Sequence, residues 1–132
     1  TSAASLVLTG KRVLVVDDAP DNRVLVARYL TRVGAYVDTA SDGALGAEKA
    51  LAADYHVVLM DLQMPNVDGF AALEILKAHG YKRPVVALTA HAMQGDREKC
   101  LETGFSEHLS KPIDSLRLVE MIRDFSIDLP IE

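Results

Sequence analysis

Short runs of consecutive apolar residues recur along the chain, and each is cut off by polar groups. Val13 to Val16 stops at Asp17 and Asp18, His56 to Met60 at Asp61, and Pro84 to Leu88 at Thr89. A weaker pair, His108-Leu109, is followed by Ser110, Lys111 and Pro112, and Tyr36 to Ala40 alternates like a partly exposed strand. Short, β-branched runs of this kind suit strands covered on both faces. Between them the spacing turns helical. Asn22, Val26, Tyr29 and Val33 form a stripe that Leu25 and Leu30 widen, with Gly34 as a stop. Asp42 to Ala53 is rich in Ala and Leu; a third helix starts near Asp68, carries Phe70, Leu73 and Leu76, and ends before Gly80. A fourth runs from about Ala92 to Thr103, and a fifth from Ser115 to Phe125 sets Leu118, Ile122 and Phe125 on one side behind a cap at Asp114. Five strands alternating with five helices predict an α/β domain: a parallel sheet, helices on both faces, right-handed crossovers.

In such a sheet the carboxyl ends of the strands share one edge, where ligands bind. The pattern therefore gathers Asp17, Asp18, Asp61, Thr89 and Lys111 at one crevice. A single Asp after a strand is most often a helix cap; five polar residues at four strand ends are harder to explain that way. Two unit charges about 4 Å apart repel by roughly 4 kcal/mol at an effective dielectric near 20. Either one acid stays protonated or a cation sits among them. Hard oxygen ligands without a neighbouring His or Cys favour Mg²⁺. A metal, a lysine and a hydroxyl around a carboxylate suit phosphoryl transfer, with the carboxylate as nucleophile and an aspartyl-phosphate as product.

The 132 residues make one domain, with residues 1–10 and 127–132 expected as tails and 11–126 as the folded unit. A formal charge of −5 argues against a nucleic-acid-binding surface, and no apolar run approaches a membrane span. Cys100, the one cysteine, excludes an internal disulfide and fits a reducing, cytoplasmic setting. No signal peptide is visible, and the start at Thr1 fits a segment of something longer.

The stretches VLVVDD, MDLQMPNVDG, ALTA and LSKPI resemble, in order and spacing, those of response-regulator receiver domains of two-component signalling. The resemblance spans about Lys11 to Phe125. It implies a flavodoxin-like, doubly wound five-stranded sheet of order 2-1-3-4-5 with five helices. It makes Asp61 the acceptor of a phosphoryl group from a phosphohistidine, on a histidine kinase or phosphotransfer domain. Asp17, Asp18, Asp61 and the backbone carbonyl of Gln63 become Mg²⁺ ligands, Thr89 the switch hydroxyl, and Lys111 the phosphate-binding lysine ahead of a cis bond to Pro112. The surface of the fourth helix, fifth strand and fifth helix would then engage a downstream protein or an attached kinase module. Such a domain catalyses only its own phosphorylation and dephosphorylation. MDLQMP and ALTAHAM resemble receivers of hybrid kinases in particular.

Pro65 and Gly69 shape the loop after the nucleophile, and Asn22 resembles a position near the acidic pair. One residue departs: His108 stands where receivers usually carry an inward-turning Tyr or Phe. His56 and His79 belong to no constellation, Cys100 reads as a buried hydrophobe, and Met64 and Met93 as packing or partner surface. The alternative from another class is a Mg²⁺-dependent phosphohydrolase with an aspartyl-phosphate intermediate. Phosphatases of the haloacid-dehalogenase kind space two acids by one residue after the first strand, whereas Asp17 and Asp18 are adjacent. A flavin or nucleotide module would need a glycine loop where Asp17, Asp18, Ala19 and Pro20 stand.

Overall fold

The computed structural model describes residues 8–64, 67–90 and 96–126. In chain order they form β1 (Arg12–Val16), α1 (Pro20–Arg32), β2 (Tyr36–Ala40), α2 (Gly43–Ala52), β3 (Val57–Asp61), α3 (Gly69–Ala78), β4 (Val85–Thr89), α4 (Asp96–Thr103), β5 (Glu107–Ser110) and α5 (Ser115–Ser126). The strands are parallel, in the order β2-β1-β3-β4-β5, as expected. The expected start of the fourth helix near Ala92 lies outside the described residues, as do Pro65 and Met93.

Two cores explain the consecutive apolar runs. Leu14, Val16, Val58, Met60, Val85 and Ala87 pack under α2 and α3 with Ala47, Leu73, Leu76, Cys100 and Phe105. Val13, Val15, Val57, Leu59, Val86 and Leu88 pack on the other face with Val26 and Leu30 of α1 and Leu118 and Ile122 of α5. Successive side chains of a strand point to opposite faces, so a strand covered on both must be apolar throughout. Met64 and Cys100 are buried, as packing residues should be. Leu8, within the expected tail, is also buried: its N–H bonds Val33 O at 2.9 Å, and its side chain closes the second core.

The helices start at the carboxyl edge of the sheet, and aspartates cap α2, α3 and α5 there. Asp42 accepts from Leu45 N at 2.8 Å, Asp68 from Ala71 N at 2.9 Å, and Asp114 from Leu116 N and Arg117 N at 3.0 and 3.3 Å. Each satisfies amides that the first turn leaves open. Asp114→Ala is expected to lower unfolding free energy by about 1 kcal/mol in urea titrations, without abolishing phosphoryl uptake.

Candidate functional site

The acids come together because β1 and β3 are neighbours in register. Val16 pairs with Met60, so Asp17 and Asp61 leave the sheet side by side. Asp17 and Asp61 are buried and Asp18 is exposed. One carboxylate oxygen from each of the three lies within 4.8 Å of the others. Within the turn that follows β1, the Asp17 Oδ1 accepts from Ala19 N at 2.9 Å, and its carbonyl accepts from Arg23 Nη1 at 2.8 Å. Arg23 carries no sequence signal for this role.

Lys111 reaches in from the loop after β5. Its backbone N–H bonds Thr89 O at 2.8 Å, and its peptide bond to Pro112 is cis. Its ammonium donates to Asp17 Oδ2 at 3.1 Å and to Asp61 Oδ2 at 3.3 Å. Burial works against the charged lysine, but the bond to Asp17 and the charges of Asp61 and Asp17 outweigh it and lift its pKa. Asp61 goes the other way. Burial raises its pKa and Asp17 adds to the rise, against the Gln63 N–H that bonds its Oδ1 at 3.1 Å and the Lys111 charge. A carboxylate with a raised pKa beside two more acids and one ammonium is short of positive charge. Three hard oxygen donors with no nitrogen or sulfur among them fit Mg²⁺.

Thr89 is buried at the end of β4, one residue beyond Leu88, the register partner of Asp61. Gln63 is exposed, and its amide turns to Asp61. Asn22 lines a groove of about 330 Å³ beside Asp17 and Lys111. Gly69 stands where a side chain would collide with the backbone carbonyl of Asp61, at 2.5 Å from a Cβ. Close approach, not an unusual φ, is the reason for this glycine, which is absent from the positive-φ positions. His108 lies on β5 opposite Ala87, its Nε2 buried with no hydrogen-bond partner among the described residues. Thus Asp17, Asp18, Asp61 and Lys111 form one cluster with Thr89 at its rim, and His108 stands two residues further back along the sheet.

Residues 13–123 match the response regulator receiver domain family. The chain is 37% identical over 124 residues to the signal transduction histidine-protein kinase BarA of Escherichia coli, covering 92% of this chain and 13% of that protein. The receiver domain of sensor histidine kinase PA1611 from Pseudomonas aeruginosa, solved with a magnesium ion coordinated in its active-site cleft, superimposes with a TM-score of 0.82 at 33% identity, covering 91% of this chain and all of that one. The receiver domain of Ssk1 from Saccharomyces cerevisiae, co-crystallised with the histidine phosphotransfer protein Ypd1, gives 0.79 at 26% identity over 89% of each chain. Among the described residues no helix is long and apolar enough to cross a membrane. With its fold, its acidic cluster and this family match, the chain belongs to the response regulator receiver domains, the phosphoacceptor modules of two-component signalling.

Proposed function

We propose that this receiver takes a phosphoryl group from a phosphohistidine onto Asp61, in a Mg²⁺-dependent reaction, and that the acylphosphate alters the surface built by α4, β5 and α5. The observation that carries the proposal is Lys111 poised between Asp17 and Asp61 inside a cluster of three acids. Asp17, Asp18, Asp61 and the Gln63 carbonyl would hold the metal, which supplies neutralising charge for the phosphoryl oxygens. Ionised Asp61 is the nucleophile. Its oxygen bonds phosphorus as the P–N bond breaks, and the electron pair returns to the donor's imidazole, which leaves neutral because its other ring nitrogen carries a proton throughout. Lys111 follows the negative charge onto the phosphoryl oxygens, and Thr89 is the second donor. Such charge-assisted bonds are roughly twice as strong as neutral ones and can bias a two-state segment. His108 is smaller and more polar than the usual aromatic, so the switched state gains less from filling the space that Thr89 vacates.

The phosphohistidine donor is a histidine kinase or phosphotransfer domain. The groove between α1 and α5 opens beside Asp17 and Lys111, is walled by Leu25, Tyr29 and Ile113, and offers a partner an apolar seat. The output is a downstream protein or an attached kinase module. The decisive experiment incubates the chain with a radiolabelled phosphohistidine phosphotransfer domain and Mg²⁺. Label should move to the receiver, be labile to hydroxylamine, and stay on the donor when EDTA is added; label resistant to hydroxylamine would refute an acylphosphate. In a parallel titration by NMR, Asp18→Ala should weaken Mg²⁺ binding roughly tenfold or more, the worth of one charged oxygen ligand. The same variant should keep or gain apo stability, because it removes one of three crowded charges. An unchanged Mg²⁺ affinity would take Asp18 out of the ligand set.

A further inference from the structure

The chain leaves β1 through a short turn, Asp17 to Ala19, before α1 begins at Pro20. Three bonds close this turn. Ala19 N donates to Asp17 Oδ1 at 2.9 Å, Arg23 N to Ala19 O at 3.1 Å, and Arg23 Nη1 to Asp17 O at 2.8 Å. The first is an ordinary Asx turn, and the second is the first bond of any helix that starts here. The third needs a long donor side chain at position 23. Neither the helix nor surface charge explains it. Arg23 stands one turn inside α1, where the helix dipole disfavours a cation. Two exposed acids, Asp18 and Asp21, are close in sequence, yet Arg23 pairs with neither. Among the described residues the ion pairs join Arg97 to Glu107, Lys111 to Asp17 and Asp61, and Arg123 to Asp124. The half-buried guanidinium turns to a backbone carbonyl instead.

The three acids of the cluster differ in what holds them. Asp17 is buried, its N–H donates to Ala40 O at 3.1 Å, and its carboxylate takes Ala19 N on one oxygen and the Lys111 ammonium on the other. Asp61 is buried too, and its oxygens accept from Gln63 N and from Lys111. Asp18 is exposed, and no described residue bonds or pairs with its carboxylate. Its oxygen nevertheless lies within 4.8 Å of oxygens of the other two. Like charges so close repel, and the exposed one is free to swing away. The place of Asp18 therefore rests on its backbone. A peptide unit is planar, so holding the Asp17 carbonyl holds the whole unit and fixes ψ of Asp17, the last rotation before Asp18 itself. The Arg23 bond to Asp17 O supplies that constraint, anchored in the first turn of α1.

We propose that Arg23 is a positioning residue for the metal: through the Asp17 carbonyl it sets the turn that presents Asp18 to Mg²⁺. The proposal rests on the reading of Asp18 as a ligand. A turn held in its binding shape raises affinity by reducing the ordering that binding must supply. Charge alone predicts the opposite, because a guanidinium beside the cluster repels a divalent cation and its removal would tighten binding. The test is a set of Mg²⁺ titrations followed by NMR on four variants. Arg23→Met keeps an unbranched stem without charge or donor, and Arg23→Lys keeps the charge and a donor. Asp18→Ala and the double variant Arg23→Met with Asp18→Ala complete the cycle. Arg23→Met should weaken Mg²⁺ binding roughly tenfold, and Arg23→Lys should weaken it less. In the Asp18→Ala background, Arg23→Met should cost little more, because the two act as one unit. Without Mg²⁺, the Asp17 carbonyl carbon should shift in Arg23→Met while the resonances of Val13 to Val16 stay in place. Mg²⁺ affinity unchanged or tighter in Arg23→Met would overturn the proposal, even with a lowered urea midpoint, since that is what a purely structural arginine does. An equal loss in the Asp18→Ala background would overturn it too. Unchanged affinity in Asp18→Ala alone would overturn the ligand reading beneath it, and is told apart because position 23 is untouched there.

Discussion

Asp61→Asn is expected to take up no phosphoryl group from acetyl phosphate and Mg²⁺, while the unchanged chain gains one, read as an 80 Da increase by mass spectrometry (the mass of PO₃H). The amide keeps the shape of the carboxylate but lacks its nucleophilic charge. The loss should not come from unfolding, and the sign of the Asp61 pKa shift says why. Burial and the neighbouring Asp17 raise it, so the fold favours the neutral acid. The stabilisation that protonated Asp61 gives the fold is complete below the ordinary carboxylate range and is lost as pH rises through its elevated pKa. At neutral pH the ionised group therefore costs stability. Asparagine removes that cost, and Lys111 keeps its bond to Asp17 at 3.1 Å. Thermal melts should put the variant at or above the unchanged chain at pH 7, with the difference shrinking as the pH is lowered through the carboxylate range. A variant that melts well below the unchanged chain at pH 7 would contradict the charge crowding described here.

Gly69→Ala should damage both fold and chemistry. A Cβ there would sit 2.5 Å from Asp61 O and 2.9 Å from Leu62 Cα, both backbone atoms that no rotamer change can move. The glycine N–H also bonds Leu62 O at 3.2 Å, so α3 begins against the segment that carries Asp61. To admit one methyl group, α3 must withdraw or the turn after β3 must shift. Overpacking of this kind costs typically 1–3 kcal/mol. A shift of the turn would also misplace Asp61 and the Gln63 amide that bonds it. The rate of phosphorylation should fall roughly a hundredfold, the scale associated with a misplacement near 1 Å. Urea titration and initial rates check the two effects separately. Full activity with lowered stability would mean that α3, not the turn, had yielded.

The central strands were legible because four consecutive apolar residues bounded by polar ones have a single economical reading. Val57 to Met60 and Val85 to Leu88 are buried throughout, and Asp61 and Thr89 follow where the runs stop. The same stops set Asp17, Asp18 and Asp61 at one edge of a parallel sheet. Helix faces were less legible. Leu25 fits the apolar stripe of α1 by spacing, yet it is 68% exposed, because apolar residues flank the stripe on both sides and periodicity alone does not locate its centre. Contacts that use backbone atoms left no trace: Arg23 on the Asp17 carbonyl and the Gln63 amide on Asp61 depend on how the chain turns, not on residue type. His56 belonged to no constellation when only the ends of strands were compared. Lining up the residues that precede each apolar run sets it between Arg12 and Arg83.

The aspartates that cap α2, α3 and α5 stand around the same mouth as Asp17, Asp18 and Asp61. The helix caps and the acidic cluster, two unrelated local features, thereby give the domain a negative pole. A visitor feels it at long range, before any contact forms. Small anionic phosphodonors must climb this potential, and added salt lowers it, so their rate of encounter should rise with ionic strength. A protein donor that surrounds its phosphohistidine with basic residues is drawn down the same potential, and salt should slow it within a Debye length of about 10 Å at 0.1 M. The capping residues thus act as a filter on the kind of donor, favouring a macromolecule that brings its own positive charge over a free metabolite that does not.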